Sequence, residues 1–197
     1  MRRRFAPGAW RYALPLVALA VLLRRRLPRG WLAVLALAAG ALGFHRDPER
    51  EPPDKGILAP ADGRVSVIRT DGDRLRVGVF MNLHDVHVNR TPVAGTVREV
   101  THSPGGHWPA FTKASDRNER VVVDVDDYEV TLIAGAVARR IHPYVEAGDE
   151  LARGERLGHI SFGSRVDVLF PPGVDEADLA VDRGQRVRAG ETVLARR

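Results

Sequence analysis

A chain of 197 residues has room for one globular core plus an appended segment. It contains no cysteine, which excludes disulfides, thiolate metal sites and a cysteine nucleophile. The formal charge of +5 belongs to one end: residues 1–43 carry Arg2, Arg3, Arg4, Arg11, Arg24, Arg25, Arg26 and Arg29 and no acid, which leaves 22 basic against 25 acidic residues, about −3, in the remainder. Because that positive charge borders apolar runs, and no aromatic-basic interleaving appears in the main domain, it points to a membrane surface and away from nucleic acid.

The two apolar runs, Ala13–Leu23 and Trp31–Gly43, flank the basic loop from Arg24 to Gly30 and predict a helical hairpin over residues 1–43. Each is shorter than the roughly 20 residues that cross about 30 Å of hydrocarbon. Spanning would therefore recruit Trp10, Tyr12 and Phe44, and lying in the interface is the other solution. No small-residue cleavage site follows the first run, which argues against a signal peptide. Residues 44–56, polar and proline-rich from Glu49 onward, read as a linker, and residues 57–197 as the main domain.

That domain is expected to be mainly β. Short β-branched runs recur between turn residues: Val65–Ile68, Leu75–Phe80, Val86–Asn89, Thr96–Val100, Val121–Val125, Glu129–Ala134, Val166–Phe170 and Thr192–Ala195. Two internal echoes sharpen the expectation. Pro60-Ala61-Asp62-Gly63-Arg64-Val65 returns as Pro92-Val93-Ala94-Gly95-Thr96-Val97, and the glycine pattern of Val145–Leu157 returns over Val181–Val193. This repeat resembles a biotinyl/lipoyl-type barrel-sandwich hybrid, a likeness that speaks to fold and not to chemistry.

Chemistry enters with Leu157-Gly158-His159-Ile160-Ser161-Phe162-Gly163-Ser164-Arg165-Val166-Asp167, where a Gly-Ser pair separates an apolar run from a strand. A serine after glycine can attack the preceding carbonyl when the backbone bends far enough, and glycine tolerates the bend. The ester so formed can eliminate to a dehydroalanine that hydrolyses to an N-terminal pyruvoyl group. A Gly-Ser pair alone is a weak signal, because most such pairs are turns.

Its neighbours add specificity. In order along the chain stand Phe44-His45-Arg46-Asp47-Pro48; Ala59-Pro60-Ala61-Asp62-Gly63; Asp85-Val86-His87 with Pro92; Asn118-Glu119-Arg120; Ile133-Ala134-Gly135 through Ala138-Arg139-Arg140-Ile141; and Phe162 to Asp167. This series resembles the phosphatidylserine decarboxylase family, in its short archaeal and bacterial branch, over residues 44–171.

The resemblance implies a carboxy-lyase made as a zymogen and cut autocatalytically between Gly163 and Ser164. Ser164 would become the covalent pyruvoyl group and form a Schiff base with the substrate. His87 would be the base that activates Ser164, and Asp62 the group that orients the imidazole, in the logic of hydrolytic triads. The implied substrate is a serine phospholipid, phosphatidylserine or its ether counterpart archaetidylserine, converted to the ethanolamine lipid and CO2. Arg46 and Arg165 are candidate contacts to its phosphate or carboxylate.

Longer members carry a second histidine where this chain has Arg90, and a threonine in place of Arg165. The implied partners are membrane lipid and the enzyme's own small chain, in an α/β heterodimer or a higher oligomer. The implied location is the cell membrane, with the catalytic domain on the cytoplasmic side.

No metal is expected. His84 and His87 lie three apart, which on a strand sends their rings to opposite faces, and His102 and His107 do not repair this. The rival reading is a non-enzymatic, membrane-anchored biotinyl/lipoyl-like barrel module, but a carrier needs a lysine on an exposed hairpin. Lys55 in the linker and Lys113 in a polar loop do not fit. Ser103–Pro109 reads as an ordinary loop, with a dip of Trp108 toward lipid as the alternative.

Overall fold

Two helices open the chain, α1 (Trp10–Leu23) and α2 (Gly30–Phe44), joined by the arginine-rich turn, as the apolar runs predict. The computed structural model describes residues 4–106, 108, 117–136, 140–161 and 163–196, so the expectations placed on Arg2, Arg3, His107, Pro109, Lys113, Ala138, Arg139 and Phe162 lie outside it. The chain divides into two compact units, residues 1–49 and 50–197. In the first, Phe5 bridges to Arg46 and the His45 ring stacks on Tyr12 at 4.8 Å, which ties the start of the unit to its end.

The second unit is built from strands β1 (Ile57–Leu58), β2 (Gly63–Asp71), β3 (Arg74–Met81), β4 (Val88–Arg90), β5 (Gly95–Ser103), β6 (Arg120–Val125), β7 (Tyr128–Ala134), β8 (Ile141–Pro143), β9 (Glu150–Leu151), β10 (Arg156–Ile160), β11 (Ser164–Leu169), β12 (Arg186–Val187) and β13 (Val193–Ala195). Eight of these strands form one antiparallel sheet in the order β12-β2-β3-β11-β7-β6-β5-β9. It curls into a half-barrel, so the protein is mainly β behind a helical hairpin, as expected. Each of the eight β-branched runs overlaps a strand, although Val86, His87, Phe170 and Thr192 at their ends fall outside; β1, β8, β9, β10 and β12 are additional.

Alternation of side chains fills the inner face of the sheet. Val77, Val79 and Met81 on β3, Val130, Leu132 and Ala134 on β7, and Val166 and Val168 on β11 are all buried in one core cluster. Burial of so many branched side chains is what holds a half-barrel with few helices together.

The two sequence echoes are structural repeats that interlock. Gly63 of β2 pairs with Val187 of β12, and Gly95 of β5 pairs with Leu151 of β9. The Gly184 N–H donates to the Val65 carbonyl (2.7 Å) as the Gly148 N–H donates to that of Val97 (2.8 Å). The Gly190 N–H donates to the Ala59 carbonyl as the Gly154 N–H donates to that of Thr91, both at 2.9 Å. Each first-motif segment is thus capped by a late segment of the chain. The Tyr128 hydroxyl donates to the Val93 carbonyl (2.6 Å), and burial, with Asp126 and Asp127 nearby, holds its pKa well above the ordinary tyrosine value.

Candidate active site

Ser164 is the first residue of β11, a central strand of the large sheet, and it is fully buried. It pairs with Met81 on one side and Ala134 on the other. It shares a face with Val166 and Val168, so its side chain is directed to the inside of the half-barrel. The hydroxyl lies 4.0 Å from the Met81 sulfur, a weak acceptor that leaves an Oγ nucleophile little stabilised. Gly163 before it has φ +69°, and a Cβ built there would meet nothing within 4 Å. The backbone therefore bends at the Gly163–Ser164 junction in a conformation that other residues adopt at a cost, with open space beside it.

His87 is buried, and its Nδ1 lies 3.0 Å from the Asp85 carbonyl oxygen. Its own carbonyl accepts from the Ile160 N–H (3.3 Å), at the end of the strand that runs toward Ser164. Beyond that bond the pairing of β4 with β10 continues through Val88 opposite His159. Asn89, in the middle of β4, is completely buried. Its Nδ2 lies 3.6 Å from the Met81 sulfur that the Ser164 hydroxyl also approaches. A thioether only accepts, which fixes the amide with its nitrogen toward sulfur. Among the described residues, Asn89 Oδ1 and Ser161 Oγ are buried polar atoms with no hydrogen-bond partner.

Asp62 is engaged elsewhere. Both of its carboxylate oxygens accept from Arg50 Nη2 (2.9 and 2.8 Å), and Oδ1 also accepts from the Ala189 N–H (2.8 Å). Asp62 thus caps the turn at Ala189 in the late segment Val181–Val193, and its counterpart in the echo Pro92–Val97 is Ala94. The pair is partly buried, and breaking it on one side leaves a charge without its partner. Asp62→Ala is therefore expected to lose stability, by about 1–3 kcal/mol, and the double change Arg50→Met with Asp62→Leu to recover most of it; thermal unfolding of the three proteins checks this. Assaying chain cleavage in the double variant then tells a chemical role of Asp62 from a structural one, because only the chemical role stays lost.

Arg165 is on the opposite face of β11 from Ser164. Its Nε and Nη2 donate to the two oxygens of Asp167 (2.7 and 2.9 Å), and the pair is buried. The fit is close, since a Cβ on Gly78 would come within 2.4 Å of Asp167 Oδ1. Arg165→Leu is expected to lower stability by about 3–5 kcal/mol through the stranded carboxylate, read as a fall in Tm of roughly 10 °C. Arg46 lies in the first unit, where its Nη1 donates to the Gly43 carbonyl (2.9 Å). Arg90, which stands where longer members have histidine, is buried and donates to the Gly154 carbonyl (2.9 Å). Of the residues singled out from sequence, the structure brings Gly163, Ser164 and the β10-linked His87 into one region. Asp62, Arg165 and Arg46 have partners of their own.

Sequence reasoning gave no part to Met81, Asn89 or Ser161, nor to the Tyr144 hydroxyl, which lies 2.8 Å from His159 Nδ1, with His142 stacked on that ring at 4.5 Å. Asn89 stood inside the Asp85–Pro92 motif, and only its pairing to β10 shows which way it faces.

Comparisons with known proteins now bear on this geometry. A family model described as phosphatidylserine decarboxylase matches residues 37–195. A Halobacterium salinarum protein named as an archaetidylserine decarboxylase proenzyme is 62% identical over 192 residues, covering 96% of this chain and 97% of its own length. A Streptomyces griseus protein named phosphatidylserine decarboxylase proenzyme is 50% identical over 204 residues, covering 98% of this chain and 94% of that one. One from Thermobifida fusca, of the same name, is 52% identical over 168 residues, 83% of this chain and 76% of its own. The chain is an enzyme, a carboxy-lyase. It belongs to the phosphatidylserine decarboxylase family.

Proposed function

We propose that this protein is a self-processing decarboxylase of serine phospholipids, with Ser164 as the source of its pyruvoyl group. The observation that carries the reading is the junction itself, a positive-φ glycine with open space beside it followed by a fully buried serine on a central strand. Burial matters because the intermediates of such a reaction are destroyed by stray water.

In this reading His87 takes the hydroxyl proton as Oγ attacks the Gly163 carbonyl carbon. The peptide C–N bond then breaks as the C–O bond forms, and nitrogen recovers the proton. Removal of the Ser164 α-proton expels Gly163 as a carboxylate and leaves a dehydroalanine. Its imine tautomer takes up water and releases ammonia. The pyruvoyl group so made supplies an electron sink for the pair left behind when a serine carboxylate departs as CO2. The chain's own part in that second reaction is to exclude water and to return a proton to the substrate carbon, for which His87 is the candidate. Asp62 joins the set through the family resemblance, with its charge matched by Arg50.

The substrate is read as phosphatidylserine or archaetidylserine, which share the reacting amino acid. The names of the relatives support both. Arg46 and Arg165 are retained as candidate contacts to the lipid headgroup, and the bidentate pair with Asp167 supports a structural part for Arg165 as well. The location proposed is the membrane surface on the cytoplasmic side. Helices of 14 and 15 residues extend about 21–23 Å at 1.5 Å per residue, short of the hydrocarbon thickness of about 30 Å, which favours lying in the interface. No helix among the described residues is long and apolar enough to cross a membrane.

Intact-protein mass spectrometry tests the core of the proposal. The purified protein is expected as two chains of 163 and 34 residues, the smaller lacking a free amine and gaining mass with a carbonyl reagent. A single full-length chain with an unmodified serine at 164 would refute it.

A further inference from the structure

Among the described residues of the second unit, two large apolar side chains stand exposed: Leu83 at 63% and Trp108 at 56%. An exposed leucine anywhere on a surface carries no message. Here the placement does. Leu83 follows Met81 by two residues, and Met81 is the β3 partner of Ser164. Its turn is braced, with the Asp85 N–H donating to the Asn82 carbonyl (3.0 Å) and the Asn82 N–H to Asp85 Oδ2 (2.8 Å).

Trp108 stands on the other side of Ser164. Its backbone N–H donates to Asn118 Oδ1 (2.8 Å), and Asn118 Nδ2 donates both to the Trp108 carbonyl and to the Ala134 carbonyl, each at 2.7 Å. Ala134 is the β7 partner of Ser164, and Asn118 is buried. The two exposed side chains are thus fixed to the two strands that flank the serine.

The same region carries exposed cations. Arg186 is 58% exposed and bonds to the Leu83 turn through His84 Nε2 (3.0 Å) and Asp85 Oδ1 (3.1 Å). Exposed Arg117 accepts the Gly106 N–H next to Trp108, and exposed Arg140 accepts the Ser161 N–H with its carbonyl. A leucine and a tryptophan on segments that also carry exposed arginines match an anionic lipid surface, where apolar side chains enter the headgroup region and guanidinium groups meet phosphate.

We propose that Leu83 and Trp108 are the rim by which the catalytic unit seats on a bilayer, so that the Ser164 end of the sheet faces the membrane and a headgroup enters between them. The role of the headgroup rests on the decarboxylase reading, whereas the seating does not. The test therefore uses the full chain with Trp10→Phe and Trp31→Phe, which leaves Trp108 as the sole tryptophan, in both the Ser164 and the Ser164→Ala background.

Vesicles of phosphatidylglycerol and phosphatidylcholine, with no serine lipid, are expected to shift Trp108 emission to the blue. Brominated acyl chains are expected to quench it roughly twofold, equally in both backgrounds. Emission unchanged on vesicles to which the protein sediments overturns the proposal, as does a failure to sediment. A shift that follows protein concentration without lipid assigns the rim to a second copy of the chain and overturns it too.

A second measurement uses Leu83→Ser with Trp108→Ser in the processed enzyme. Turnover of serine lipid in vesicles is expected to fall about tenfold, in line with the loss of two interfacial anchors, and turnover of a short-chain serine lipid below its micellar concentration far less. Equal loss on both substrates defeats the rim assignment. Absence of turnover on either substrate by the unsubstituted enzyme defeats the decarboxylase reading and leaves the vesicle result standing.

Discussion

Replacing Ser164 by alanine is expected to yield a single 197-residue chain with no decarboxylase activity and no mass gain with a carbonyl reagent. The physical reason is that the oxygen is both the attacking atom and the source of the ketone, so no neighbour can substitute for it. The loss should be complete, against the 10²–10⁴-fold that removal of a proton-transfer group alone costs. Folding should survive. The hydroxyl's sulfur contact at 4.0 Å is weak, so a Tm within a few degrees of the unsubstituted protein is expected. Cutting at 163–164 in this variant would place the nucleophile elsewhere.

His87→Gln is expected to fold and to accumulate as the uncut chain, with the half-time of cleavage lengthened about 10²–10⁴-fold. Glutamine keeps a polar side chain of comparable length next to the Asp85 carbonyl but cannot take a proton. His87→Ala opens a cavity in a buried site, and added imidazole should restore part of the cutting there. A merely structural histidine would show a lowered Tm and no imidazole rescue. Cleavage of the Gln variant at the unsubstituted rate removes His87 from the base role.

The strand runs were legible because β-branched residues alternating between turn residues announce themselves locally. β10 was not. Arg156-Leu157-Gly158-His159-Ile160 has a charge, a glycine and one branched residue, and it is a strand because β4 and β8 pair with it on both sides. The repeated glycines at 148, 154, 184 and 190 were visible as turn positions, and all four have positive φ. That each late repeat would cap the opposite early one was invisible, since the pairing joins segments more than 50 residues apart, such as Gly95 with Leu151 and Gly63 with Val187.

The candidate site divides along the same line. By itself the sequence determined the Gly163–Ser164 junction, the mainly β unit, the apolar hairpin and the family, because these rest on local backbone freedom, side-chain pattern and ordered motifs. Tertiary structure alone decided the partners. Asp62 is claimed by Arg50 and the Ala189 N–H, His87 faces the Asp85 carbonyl, Arg165 turns away from Ser164 to Asp167, and Asn89 meets the same sulfur as Ser164. A strand fixes on which face a side chain emerges, but which groups await it there depends on how distant strands close around it, and that closure is not written in any local stretch of the chain.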